Sequence, residues 1–268
     1  MGALTIVEAG IATSVQDRGR RGWAHLGVST AGAMDEALAG QLNRLVGNAD
    51  SAAVVETAGG LVVRADTAVT TATTPDVAVH HLAAGDEMRI DPQRDDLWGY
   101  IAVAGGVAVE AVLGSRSADS RSGIGPPSPR AGTRFDAGGD RPGVATIDQG
   151  APPVRHGVVR VWPGPRRDRF DDEAWRALTS TVWTVTTEVS RVGARLAGPR
   201  LRPFVDEPLA SEGLVIGAVQ IPGDGQPVIM LRDHPTTGGY PVIAVVDPDD
   251  LAEVAQARPG RALRFRPV

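Results

Sequence analysis

The chain has 268 residues, 42% hydrophobic and only 4% aromatic, with a formal net charge of −5. At roughly 150 residues per domain that length allows one large domain or two ordinary ones, and the acidic balance argues against a nucleic-acid partner. Cysteine is absent and all 27 basic residues are arginine, which removes disulfides, thiolate metal sites, cysteine nucleophiles, Schiff-base lysines and a lysine carrier for biotin or lipoyl groups.

The 33 glycines and 20 prolines imply many turns and short elements, which predicts a mainly β fold. No run reaches the roughly 18 apolar residues of a membrane span. The opening MGALTIVEAG lacks the basic start of a signal peptide, so a cytoplasmic chain is the expectation.

In chain order, the first strand is expected over Leu4–Ala9, followed by a Gly/Arg-rich loop, Gln16–Trp23. A helix over 35–46 follows, with Asp35 as its cap, Leu38, Leu42 and Leu45 on one face, and Gly47 as its stop. Short strands are then expected over 52–57, 61–65, 68–72, 77–81, 87–90 and 99–104, each bounded by turn residues. Residues 120–141 are rich in Ser, Gly, Pro and Arg and read as a long surface loop or a mobile lid. The breakers in 148–157 suggest a boundary between an N-terminal β-barrel-like domain, 1–150, and a C-terminal β domain, 158–268. The second half opens on a strand over 158–162 and a helix over 171–178. Strands over 181–189, 214–221, 227–231 and 241–246 follow, then a helix over 248–258 and a last strand over 261–265. Asp224-Gly225 between two apolar runs signals a hairpin.

None of the self-sufficient catalytic motifs is present: no Walker A loop, no H-E-x-x-H and no G-x-S-x-G. The five histidines do not fall at metal-ligand spacing, and no metal site is expected. Two segments nevertheless concentrate polar side chains among glycines. The first gathers Gln16, Asp17, Arg20 and His25; its structural alternative is an Asp17–Arg20 pair bracing the loop. The second places Gln220 ahead of Asp233, Thr236, Thr237, Gly238, Gly239 and Tyr240; its alternative is an ordinary glycine turn. Glycine leaves backbone N–H groups free to approach a ligand. Both segments are therefore expected to be functional surface, at least one of them bordering a cleft.

At these residues the chain becomes similar to a known family. TSVQDRGRRGWAHLGVSTAGAMD (13–35), LGSRS (113–117), SRVGARLAG (190–198), SEGLVIGAVQIPGDGQPVIMLRDHPTTGGYP (211–241) and DLAEVAQARPGRALRF (250–265) resemble, in order and spacing, the family that unites biotin-dependent carboxyltransferases with the C-type subunits of 5-oxoprolinase. That family is also called allophanate hydrolase subunit 2 and is related to urea amidolyase. The resemblance implies two cyclophilin-like β-barrel units. It also implies a smaller partner, the B-type subunit of 5-oxoprolinase or allophanate hydrolase subunit 1, with room for a third lactam-utilisation subunit.

By resemblance, the activity is that of a subunit, inactive alone, of an ATP-dependent 5-oxoprolinase that opens 5-oxoproline to glutamate with ATP and Mg2+. An alternative is half of a biotin-dependent carboxyltransferase acting on urea or a related amide, with biotin on a separate carrier. Another is a non-catalytic regulator that antagonises a kinase inhibitor. For lactam opening, Asp233 or Asp17 suits the carboxylate that orients water or magnesium. Arg20, Arg116 and the amides of 236–239 suit the donors for a negative oxygen. Gln16, His25, Gln220, Thr236, Thr237, Gly238, Gly239 and Tyr240 complete the expected ligand-binding set.

Overall fold

The computed structural model describes residues 2–139, 143, 147–204 and 207–268. Packing divides the chain into two compact units, Met1–Arg20 with Ala31–Val154, and Arg21–Thr30 with Arg155–Val268. Both are mainly β.

The first unit holds β1 (Ala3–Ala9), β2 (Ser14–Gln16), β3 (Val54–Thr57), β4 (Leu61–Ala65), β5 (Val69–Thr73), β6 (Ala78–Leu82), β7 (Glu87–Ile90), β8 (Gly99–Val103) and β9 (Arg134–Asp136). They form two antiparallel sheets, ordered β7-β4-β1-β9 and β2-β3-β8-β5-β6. One apolar core takes side chains from both sheets, among them Leu4, Ile6, Leu61 and Val63 from the first and Val55, Ile101 and Val103 from the second. The period-2 pattern behind this is plain in β4, where Leu61, Val63 and Ala65 are buried and Arg64 is exposed. The central strand β8 is buried along its whole length, so its apolar run does not alternate. Helix α1 (Glu36–Leu45) starts at Asp35, whose Oδ1 accepts the Leu38 N–H at 3.0 Å.

The second unit contains β10 (Val158–Pro163), β11 (Val182–Val189), β12 (Gly193–Ala197), β13 (Glu212–Gly213), β14 (Ala218–Gln220), β15 (Val228–Met230), β16 (Thr237–Gly238), β17 (Val242–Val246) and β18 (Ala262–Pro267). Seven of these strands close a barrel in the order β10-β17-β14-β15-β12-β11-β18, while β13 and β16 pair separately. The parallel pairing of β10 with β18 completes the circle. Buried residues alternate along the strands: Val159 and Val161, Trp183 and Val185, Ala194 and Leu196, Leu263 and Phe265. Trp183 satisfies its indole N–H by donating to the Leu178 carbonyl at 2.9 Å. Helix α2 (Asp172–Ser180) is capped by Asp171, and α3 (Leu251–Ala255) continues a 3-10 turn opened by Asp247 and Pro248.

Two expectations need correction. The loop expected over 120–141 contains β9, which pairs with β1 through Leu4 and Phe135; positions 140 and 141 lie outside the described residues. The strand expected over 214–221 shrinks to β14, because Gly217 sits at φ +81° and breaks the extended backbone. The Asp224-Gly225 turn does join two antiparallel strands, with Val219 opposite Ile229. Its loop spans the residues between Gln220 and Val228.

Beneath α1 lies a wholly buried polar group. The Glu56 carboxylate accepts the Met34 N–H at 2.7 Å, and the Tyr100 hydroxyl accepts the Asp35 N–H at 2.9 Å. Burial first, then the charges of Glu56 and Asp35, pushes the Tyr100 phenol well above its ordinary value of 10.0. The folded state thus keeps this proton above the pH at which the unfolded chain releases it. The corresponding stability is present below about pH 10 and drains away at higher pH, at about 1.4 kcal/mol per pH unit for one proton. With no lysine in the chain to titrate, that slope is expected in urea-unfolding curves measured above about pH 10, and Tyr100→Phe should flatten it.

Candidate functional site

The first candidate segment leaves β2 and folds back on the LGSRS motif. The Asp17 carboxylate accepts hydrogens from the hydroxyls of Ser115 and Ser117 at 2.6 Å each, from the Arg116 N–H at 2.6 Å and from the Gly19 N–H at 2.8 Å. Four donors on one carboxylate leave it little capacity for a ligand. Gln16 is fully buried; it donates to Ala118 O and Ser14 Oγ, both at 2.9 Å, and accepts the Gly32 N–H at 3.2 Å. Arg20 is also buried, donating to the carbonyls of Val112 and Ser117. Gly125 packs against this arrangement so tightly that an added Cβ would collide with the Ser117 carbonyl. The polar heads of Gln16 and Arg20 are therefore core and not the expected surface.

Two residues of the set keep their side chains in the open. Arg116 is exposed; its Nε donates to Val109 O at 3.0 Å, and it borders a hollow of about 320 Å³ floored by Gly105, Gly106, Gly138 and Gly139. His25 sits on the 3-10 turn Ala24–Leu26, stacked on Trp23 with ring centroids 6.4 Å apart. Its Nδ1 lies 3.1 Å from the Gly22 carbonyl.

In the second unit, Asp233 is 0% exposed and its two oxygens receive Nε and a terminal nitrogen of Arg191, each at 2.9 Å. The Asp233 N–H returns to the Arg191 carbonyl at 2.9 Å. This bidentate fork locks the turn before β12 to the segment after β15. Gln220 donates to Tyr240 O at 3.1 Å, and the Thr236 carbonyl accepts the Leu214 N–H at 2.9 Å. Thr237 and Gly238 form β16, opposite Glu212 and Gly213. A side chain at Gly238 would meet Leu214 Cδ1 at 2.7 Å and Gln220 Nε2 at 2.8 Å, so both side-chain ends would have to move to admit it. At the end of the segment the packing opens, and Gly239 and Tyr240 border a cleft of about 670 Å³. Tyr240 is 53% exposed.

Three cleft residues, Arg169, Arg200 and Arg202, were missed by sequence reasoning, as was Arg191. The run 166–169 reads as a solvated loop, and most of it is engaged locally. Arg166 pairs with Glu212 and Arg167 with Asp172, which leaves Arg169 for the cleft.

Comparisons with known proteins agree on one family. The family model described as "Carboxyltransferase domain, subdomain A and B" matches residues 26–267. The C-type subunit of 5-oxoprolinase from Escherichia coli (strain K12) is 35% identical over 98% of this chain and 90% of that protein. The solved structure of TTHA0988 superposes with a TM-score of 0.87 at 34% identity, covering 99% of this chain and 56% of that one. The K. lactis urea amidolyase superposes with a TM-score of 0.89 at 24% identity, and this chain spans only 19% of it. The last likeness concerns the fold alone.

The Arg191–Asp233 pair gives a direct test of what Asp233 does. Asp233→Ala strands a buried guanidinium and is expected to cost about 3–5 kcal/mol in urea unfolding, with much of the loss recovered in Asp233→Ala/Arg191→Met. Unchanged stability together with a ~10²-fold loss of turnover in the assembled enzyme would instead make Asp233 a base or water-orienting group.

Proposed function

We propose, from the premise that this chain belongs to the carboxyltransferase subdomain A and B family, that it is one subunit of an ATP-dependent 5-oxoprolinase, which opens 5-oxoproline to glutamate. What supports this reading is the match to a bacterial 5-oxoprolinase subunit over nearly the full length of both proteins. The two compact units are, in this reading, the two subdomains of the family's description, close to 1–150 and 158–268 in the chain.

A lactam is a poor electrophile, and ATP would supply the phosphoryl group that activates its amide oxygen, so that water adds to the carbon, the ring C–N bond breaks and phosphate is released. Among the described residues no three His, Cys, Asp or Glu side chains are grouped to hold a metal, and no step is assigned to Mg2+. Asp17, Arg20 and Asp233 act here as positioning residues, since the protein itself takes up their polar heads. Gln16, Gln220 and Gly238 hold the same segments in place. The groups left to meet a ligand are the exposed ones, His25, Arg116, Thr237, Gly239 and Tyr240, with the half-buried Thr236 beside them. Such a set binds and orients but lacks a free acid–base pair, so the remaining chemistry belongs to a smaller B-type partner, with a third lactam-utilisation subunit as a further component. The complex is assigned to the cytoplasm.

A second reading, half of a biotin-dependent carboxyltransferase acting on urea or a related amide, draws on the likeness to urea amidolyase of Lachancea kluyveri, 29% identical over 99% of this chain. Under it a separate carrier must bring the biotin, because this chain has no lysine.

The chain purified with its partner is expected to release glutamate only when both ATP and 5-oxoproline are present, while the chain alone releases none. Turnover by the isolated chain would sink the subunit reading. Carboxybiotin-driven carboxylation of urea, with no lactam opening, would favour the second one.

A further inference from the structure

We infer that the cleft of the second unit binds a small molecule through an oxyanion head, a carboxylate or a phosphate. The cleft measures about 670 Å³, within the range typical of small-ligand sites. Among the described residues its lining brings three arginines, Arg169, Arg200 and Arg202, against a single carboxylate, that of Glu207. In a chain of net charge −5 that is a local excess of positive charge.

Five other guanidinium groups of this unit find acids: Arg160 pairs with Asp250, Arg166 with Glu212, Arg167 with Asp172, Arg191 with Asp233 and Arg195 with Asp224. The three cleft arginines make no ion pair among the described residues. Two of them are nonetheless held in place by backbone. Arg169 donates to the Glu207 carbonyl at 2.7 Å, and Arg200 donates to the Gly223 carbonyl at 2.8 Å. A guanidinium carries five N–H donors in a rigid fork, so each anchored group keeps donors beyond the one that holds it. Gathering three like charges beside one described carboxylate leaves a net positive charge, and a bound anion offsets it. The cleft also has an apolar side, with Ile221, Pro222 and the half-exposed Tyr240 ring, which suits the carbon body of a small ligand.

The inference rests on the reading above only for the choice of probes. The full chain would be titrated calorimetrically, at low ionic strength, with 5-oxoproline and glutamate as carboxylates and with ATP and inorganic pyrophosphate as phosphates. Saturable one-to-one binding is expected in one arm, and the arm that binds identifies the head group. Arg202→Gln, at an exposed position with no described partner to lose, should weaken binding by about tenfold or more without moving Tm. Arg264→Gln, at an exposed arginine on β18 outside the cleft, should leave binding unchanged. No saturable binding by any of the four probes overturns the inference. So does an equal loss in Arg202→Gln and Arg264→Gln, which would mean diffuse attraction. The titration needs no turnover, so it can fail while the subunit reading stands, and the reverse also holds.

Discussion

One half-buried carboxylate organises the loop end of the first unit. Asp17 draws four hydrogens to itself, two from hydroxyls and two from backbone N–H groups, and hydrogen bonds to a charged group contribute about 1.5–3 kcal/mol each. These bonds make the exit of β2 and the LGSRS turn a single piece. Once Ser117 is fixed, its carbonyl holds the Arg20 guanidinium, and the Gln16 side chain then ties Ala118 and Gly32 to the same piece. What is left over is the exposed Arg116 side chain, held through its backbone N–H and by its Nε on the Val109 carbonyl. The motif most easily taken for a catalytic cluster thus spends most of its polarity on itself.

The charge chemistry of the second unit follows from the same need to satisfy buried groups, with guanidinium as the only side-chain cation besides histidine. Arg191 and Arg160 each meet a carboxylate through two nitrogens, at 2.9 and 2.9 Å for Asp233 and at 2.8 and 2.9 Å for Asp250. A planar fork matched to a carboxylate fixes orientation as well as distance, which an ammonium does not. The Arg160 contact accordingly holds Asp250 below the usual carboxylate range, and the first turn leading into α3 is fastened to β10.

Legibility in the sequence tracked the range of the interaction. Asp35, Asp171 and Asp247 could be read as caps because a cap and its N–H lie two or three residues apart. Strands such as β4 and β7 were readable from turn residues and alternation. The strand β9 was not, because its Arg-Phe-Asp sits in a stretch rich in Ser, Gly and Pro, and only β1, more than a hundred residues away, makes it a strand. The same holds for the candidate sites. Their residue types were visible, but the partners that set their roles were not: Ser115 and Ser117 lie about a hundred positions from Asp17, and Arg191 lies 42 from Asp233. The arginine cleft depends on two segments, near 169 and 200–202, that nothing local connects.

These separations have a consequence for the chain while it is being made. At about 5–20 residues per second, the Ser117 that completes the Asp17 arrangement leaves the ribosome roughly 5–20 s after Asp17 does. The edge of β1 that β9 will cover waits longer still. Throughout that interval the nascent N-terminal strands present unpaired backbone to their surroundings, and chaperones and proteases meet them before their own partners have been synthesised.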